Sequence, residues 1–168
     1  MKNLSVSDEN TLPNAENWTF GIAVADWNAH ITHKLYEGCL ETLLKHGAQI
    51  ENIHTVQVPG SFELPTAAKM LAASRTLDAV ICLGCVIKGE TKHDDYINHA
   101  VATTLAQMGM MSGKPIIFGV LTTDNEAQAL ERAGGEHGHK GIESAKSALK
   151  MIELGKSLQR KKTTIGFS

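Results

Sequence analysis

The run Ala79-Val-Ile-Cys-Leu-Gly-Cys-Val-Ile87 contains nine residues without a charge, an amide or a hydroxyl. Successive side chains of a strand point to opposite faces of the sheet. A run apolar at both parities therefore needs cover on both faces. An antiparallel sheet with one wet face would alternate apolar and polar residues instead. The run is also far too short to cross a bilayer. It predicts the centre of a parallel sheet enclosed between two helical layers.

Three further apolar stretches supply the neighbouring strands: Phe20 to Ala25, Ile53 to Val58 and Pro115 to Leu121. Helical spacing fills the intervals. Ile31, Leu35, Cys39 and Leu43 recur four residues apart, and Gly47 ends that helix. Asn28 stands where it would cap its start. An alanine-rich helix is expected from Glu63 to Ser74, and a longer one on the stripe Ile97, Val101, Leu105 and Met108, closed by Gly113 and Pro115. Asn125 to Ala133 reads as a short helix stopped by Gly134-Gly135. Ile142, Ala145, Leu149 and Ile152 mark the last helix. Strand–helix alternation throughout gives an α/β fold with right-handed crossovers. Residues 1–17 read as a loose arm, 18–160 as a single domain and 161–168 as a tail, with Arg160-Lys161-Lys162 solvating a helix end.

Composition narrows the function classes. With 168 residues, 42% of them apolar, the chain can bury a real core. A net charge of −2 and a pI near 6.4 supply no basic field for nucleic acid. Met1 to Trp18 is polar and contains Pro13, unlike a secretory leader, and no stretch would span a membrane; a cytoplasmic location is expected. Three cysteines fit a reducing compartment. Cys82-Leu83-Gly84-Cys85 has the redox spacing. Within a strand, however, residues three apart face opposite ways, and no helix start lowers the thiol pKa.

In a doubly wound sheet, ligands bind beyond the carboxyl ends of the strands, near the point where strand order reverses. Trp27 follows strand one, Gly60 to Glu63 follow strand two, and Lys88 to His93 follow strand three, so these turns should meet at one rim. Gly89-Glu90-Thr91 before a helix is suited to an anion, and equally to simple capping by Thr91. No Walker pattern and no G-x-G-x-x-G is present. His93, beside that turn, is a candidate proton carrier. Trp27 is a candidate for stacking on a flat ring, or a cover for the sheet edge. Phe118 sits mid-strand as a core residue would; Glu63 and Arg132 suit helix dipoles. His30, His33, His46, His54 and His99 read as surface groups. His137-Gly138-His139 lacks a third metal ligand.

Several separated blocks also carry a resemblance: Ala25-Asp-Trp-Asn28, Val58-Pro-Gly-Ser-Phe-Glu-Leu-Pro65, Leu83-Gly-Cys-Val-Ile-Lys-Gly-Glu-Thr-Lys-His93, Phe118-Gly-Val-Leu-Thr-Thr123, and Gln128-Ala-Leu-Glu-Arg-Ala-Gly134 running on to Lys140-Gly141. From Phe20 to about Leu154 the chain resembles the lumazine synthase family. The resemblance implies a flavodoxin-like three-layer α/β/α sandwich with a four-stranded parallel sheet. It implies condensation of 5-amino-6-(D-ribitylamino)uracil with 3,4-dihydroxy-2-butanone 4-phosphate to 6,7-dimethyl-8-ribityllumazine, releasing phosphate and water. No metal and no organic cofactor is implied. By the same resemblance Trp27 stacks on the pyrimidine, where the family usually has phenylalanine. Ser61, Phe62 and Glu63 hold the ribityl chain. Cys85, Val86 and Ile87 offer backbone groups to the pyrimidine edge. Glu90 and Thr91 bind phosphate, and His93 transfers protons. Phe118, Arg132 and Lys140 would come from a neighbouring subunit. Asp94 stands where an aromatic is common, and His139 where asparagine is usual.

The resemblance further implies a pentamer, or twelve pentamers closed into an icosahedral shell, with riboflavin synthase as functional partner. The short segment Gly134 to Gly141 permits the shell. Two rival readings are a related riboflavin synthase of the archaeal type, which would have no use for a phosphate site, and a non-catalytic flavin carrier or storage shell.

Overall fold

The computed structural model describes residues 12–163. Four parallel strands form the sheet: β1 (Phe20–Ala25), β2 (Ile53–Val58), β3 (Ala79–Ile87) and β4 (Ile116–Thr123), in the order β2-β1-β3-β4. Between them run α1 (Ala29–Lys45), α2 (Leu64–Ser74) and α3 (His93–Ser112); α4 (Glu126–Glu131) and α5 (Lys140–Thr163) follow β4. The fold is the expected α/β sandwich with a flavodoxin-like arrangement.

The side-chain parity of β3 explains the layers. Ile81, Leu83 and Cys85 join Ile31, Leu35, Cys39 and Leu43 of α1 and Ala145, Leu149 and Ile152 of α5 in one core. Val80, Cys82 and Val86 face the other way, onto Leu64, Ala68 and Leu71 of α2 and Val101 and Leu105 of α3. Cys82 and Cys85 therefore lie in different cores, and burial raises their thiols to about 12 and about 11. A redox pair is excluded by that geometry.

Elsewhere the chain departs from expectation. β4 runs two residues past Leu121, because Thr122 and Thr123 still pair with Val86 and Ile87. The helix expected to reach Ala133 stops at Glu131, and a small antiparallel hairpin follows, β5 (Ala133–Gly135) with β6 (Gly138–His139). Gly134 and Gly138 adopt φ of 111° and 93°, conformations open to glycine, and these let the chain turn back at once. The arm expected over residues 1–17 lies outside the described residues as far as residue 11. From residue 12 onward the chain is packed: Ala15 is fully buried, its N–H donates to the His46 carbonyl, and Leu12 lies against the α1 core. At the other end α5 runs to Thr163, so Arg160-Lys161-Lys162 continues that helix.

Candidate active site

The order β2-β1-β3-β4 makes β1/β3 the switch point: the chain moves outward to β2 on one side and to β4 on the other. The β1–β3 ladder ends at Val24 and Leu83, whereas β1–β2 pairing continues to Ala25 and Val58. A cleft of about 550 Å³ opens above this gap. Trp27, Asn28, Ser61, Phe62, Glu63, Cys85, Val86, Ile87, Thr91 and His93 line it, together with Pro59, Gly60, Gly89, Asp94 and Ile97. The three turns do meet at one rim.

Each wall has a local cause. The Ser61–Glu63 turn is a single 3-10 turn whose Glu63 carboxylate accepts from the Gly60 N–H at 3.0 Å. Ser61 is buried with its Oγ unpartnered, over Gly84 of β3. A Cβ at Gly84 would stand 2.5 Å from that oxygen, so glycine is what lets the turn settle on the sheet. Phe62 and Trp27 are 58% and 73% exposed, an unusual placement for large aromatics unless a ligand or partner covers them.

The floor comes from Cys85 to Ile87 as β3 leaves the sheet. The far wall is the turn into α3. Thr91 Oγ1 accepts weakly from the His93 N–H at 3.4 Å, and α3 has no side-chain cap at its Lys92 N-cap position. Beyond His93, the next N–H groups of the first turn of α3 meet no side-chain cap and face the anion-favouring end of the helix. His93 is exposed at the cleft edge, and Glu90 is exposed but does not line the cleft.

Asn28 does not cap α1 as expected. It sits at the N-cap position with φ 62°, and its side chain makes no bond to the helix start. Its Nδ2 instead donates to the Cys85 carbonyl at 3.1 Å. Nothing in the local pattern signals this bond, which joins residues far apart in sequence.

Phe118, Arg132 and Lys140 lie away from this cleft. Phe118 pairs with Cys82 in mid-sheet and packs, half-buried, on the α3 side. The Arg132 guanidinium holds Glu143 in a bidentate pair, 2.8 and 2.9 Å, and also donates to the His137 carbonyl. Lys140 Nζ stands 3.8 Å from the same carboxylate. The hydrogen bond from Arg132, with the positive charges around it, holds the Glu143 carboxyl below its ordinary value. His139 tucks against Gly38 of α1, its Nδ1 buried without a partner, and burial lowers its pKa. Among the described residues no cluster of histidine, cysteine and carboxylate side chains is arranged to hold a metal ion, and no helix is long and apolar enough to cross a membrane.

Fold and cleft together define a doubly wound α/β protein with an open cleft at its switch point, bordered by exposed aromatic residues and a helix start. Sequence comparison narrows this further. A profile of the 6,7-dimethyl-8-ribityllumazine synthase family matches residues 17–156. A protein of that name from Cytophaga hutchinsonii is 54% identical over 151 residues, covering 90% of this chain and 94% of its own. One from Parabacteroides distasonis is 50% identical over 153 residues, covering 91% and 96%. One from Clostridium kluyveri is 47% identical over 146 residues, covering 87% and 95%. The chain belongs to the lumazine synthase family, and is an enzyme of the transferase class acting in riboflavin biosynthesis.

Proposed function

We propose that this chain condenses 5-amino-6-(D-ribitylamino)uracil with 3,4-dihydroxy-2-butanone 4-phosphate to form 6,7-dimethyl-8-ribityllumazine. The observation that carries the reading is the convergence of Trp27, Ser61 to Glu63, Cys85 to Ile87, Thr91 and His93 around one cleft at the switch point.

The indole of Trp27 stacks on the pyrimidine, whose edge meets backbone groups of Cys85 to Ile87. Glu63 and the adjoining turn accept the ribityl hydroxyls. The phosphate lies against the start of α3, where free N–H groups and the Thr91 hydroxyl favour it, with Glu90 near the same turn. The ring amine attacks the ketone, and loss of water leaves an imine. Elimination then expels inorganic phosphate, and the ribityl-bearing nitrogen closes the second ring with a further loss of water. His93 carries protons in these steps, since it stands exposed at the edge of the cleft and an imidazole has one nitrogen to accept a proton and one to donate it. Holding both substrates in one cleft makes the first addition effectively unimolecular.

Phe118, Arg132 and Lys140 serve the site of a neighbouring copy, Arg132 toward phosphate. Their position away from this chain's own cleft supports that assignment. The protein works as a pentamer or as an icosahedral shell of pentamers in the cytoplasm, handing its product to riboflavin synthase.

The test is formation of the fluorescent lumazine from the two substrates above the uncatalysed background. A rate at background, from folded and oligomeric protein, would leave a carrier or shell instead. Mixing inactive Arg132→Ala with inactive Thr91→Ala protein should restore activity in co-assembled oligomers; no recovery after verified subunit exchange would refute the shared site.

A further inference from the structure

We propose that Asn28 is a positioning residue that orients Trp27, and that it does so by tying the β1 turn to the end of β3 across the switch point. The ring-binding role of Trp27 rests on the function proposed above; the tie itself does not.

Asn28 is the one non-glycine residue with positive φ among the described residues, at φ 62° and ψ 43°. L residues avoid this region, and asparagine is among the few that tolerate it. A capping asparagine normally has extended backbone and accepts from the helix N–H groups. Here the left-handed backbone swings the side chain off the helix and toward β3, where Nδ2 meets the Cys85 carbonyl. The Asn28 carbonyl still starts α1, accepting from the Ile31 and Thr32 N–H groups.

The rest of the turn is held from the other side. The Asp26 N–H donates to the Val58 carbonyl at 2.8 Å, and the Trp27 N–H to the Pro59 carbonyl at 3.0 Å. These are backbone bonds to the β2 end, available to almost any sequence. Beyond Val24 and Leu83 no ladder joins β1 to β3, and the Asn28 amide spans the gap there. Trp27 needs such a frame. The residue is 73% exposed, so packing within the chain does little to hold its ring, whose direction follows from the turn backbone.

Two variants separate the tie from the backbone conformation. Asn28→Gly keeps the left-handed backbone and loses the amide. Asn28→Asp also tolerates that backbone, but turns an oxygen toward the Cys85 carbonyl. The first readout needs no ligand. The chain has two tryptophans, Trp18 buried and Trp27 exposed, so iodide quenching selects Trp27 fluorescence, with Trp27→Phe as control. Both variants should add a fast nanosecond component to the Trp27 anisotropy decay. The second readout is steady-state kinetics. KM for the ribitylaminouracil should rise roughly ten-fold in both, with KM for the butanone phosphate changed less than about two-fold. Unchanged anisotropy in both variants would overturn the proposal. So would loosening in Asn28→Gly alone, because glycine flexibility rather than the lost tie would then be the cause. If the native protein makes no lumazine, the functional reading fails, and the anisotropy still decides the role of Asn28.

Discussion

Gly84→Ala tests the link between the central strand and the cleft. Gly84 is not in the left-handed region, so its backbone accepts alanine, and the whole effect comes from space. The new Cβ would lie 2.5 Å from Ser61 Oγ, 3.0 Å from Leu64 Cδ1 and 3.3 Å from Ser61 Cβ. Overpacking of this kind costs about 1–3 kcal/mol. Lower entropy of the unfolded chain offsets about 0.4–1 kcal/mol. The midpoints of these ranges leave a net loss of about 1.3 kcal/mol. For a chain of this length each 1 kcal/mol lowers Tm by about 2–4 °C. Urea unfolding at fixed protein concentration should move the midpoint and leave the slope unchanged.

The double variant sharpens the test. Ser61 Oγ has no hydrogen-bond partner, so Ser61→Ala sacrifices no bond within the chain and removes the nearest atom. Gly84→Ala with Ser61→Ala should recover most of the loss, a strong positive coupling between neighbours. A single Gly84→Ala variant as stable as the native protein would refute the argument. A double variant no better than the single one would also refute it, because the strain would then lie elsewhere.

His93→Ala should lower turnover far more than affinity for the pyrimidine, measured by single-turnover kinetics and direct binding; equal turnover would remove His93 from proton transfer. Glu143→Gln should change the acid limb of stability. The native carboxyl is held below its usual value, so its contribution is complete above the unfolded pKa near 4.5 and is lost as pH falls through the folded value. Urea titrations between pH 6 and 3, at roughly unit steps, should therefore show a shallower acid loss in the variant, and a modest one because the pair is partly exposed. His139 works at a higher pH. Its pKa is lowered from 6.5 by burial, so the unfolded chain takes up the proton first and stability declines as pH falls below 6.5. His139→Asn should remove that decline if the amide fits against Gly38, and an unchanged pH profile would refute the assignment.

The α/β architecture was legible because it rests on local chemistry. Ala79 to Ile87 is apolar at both parities, and only a strand covered on both faces satisfies that. The α1 stripe from Ile31 to Leu43 buries at every predicted position for the same reason. Glycine and proline mark the turns, and the carboxyl ends of three strands mark the rim at which the cleft lies. The family blocks supplied the roles proposed for its residues.

Other features depend on contacts between distant residues. Asn28 satisfies every local rule for a helix cap, yet its side chain bonds a carbonyl on another strand. Arg132 has the charge expected at a helix end, but its partner Glu143 arrives from the next helix, around a hairpin whose glycine conformations set the path. Ala15 lies in a polar stretch and is nevertheless buried, because His46 at the end of α1 offers it a carbonyl. Periodicity and propensity decide which segments are helix or strand, since those energies are short-range. Which donor meets which acceptor across the sheet was decided only when the tertiary structure brought them within 3 Å or so, the distance at which a hydrogen bond has any strength.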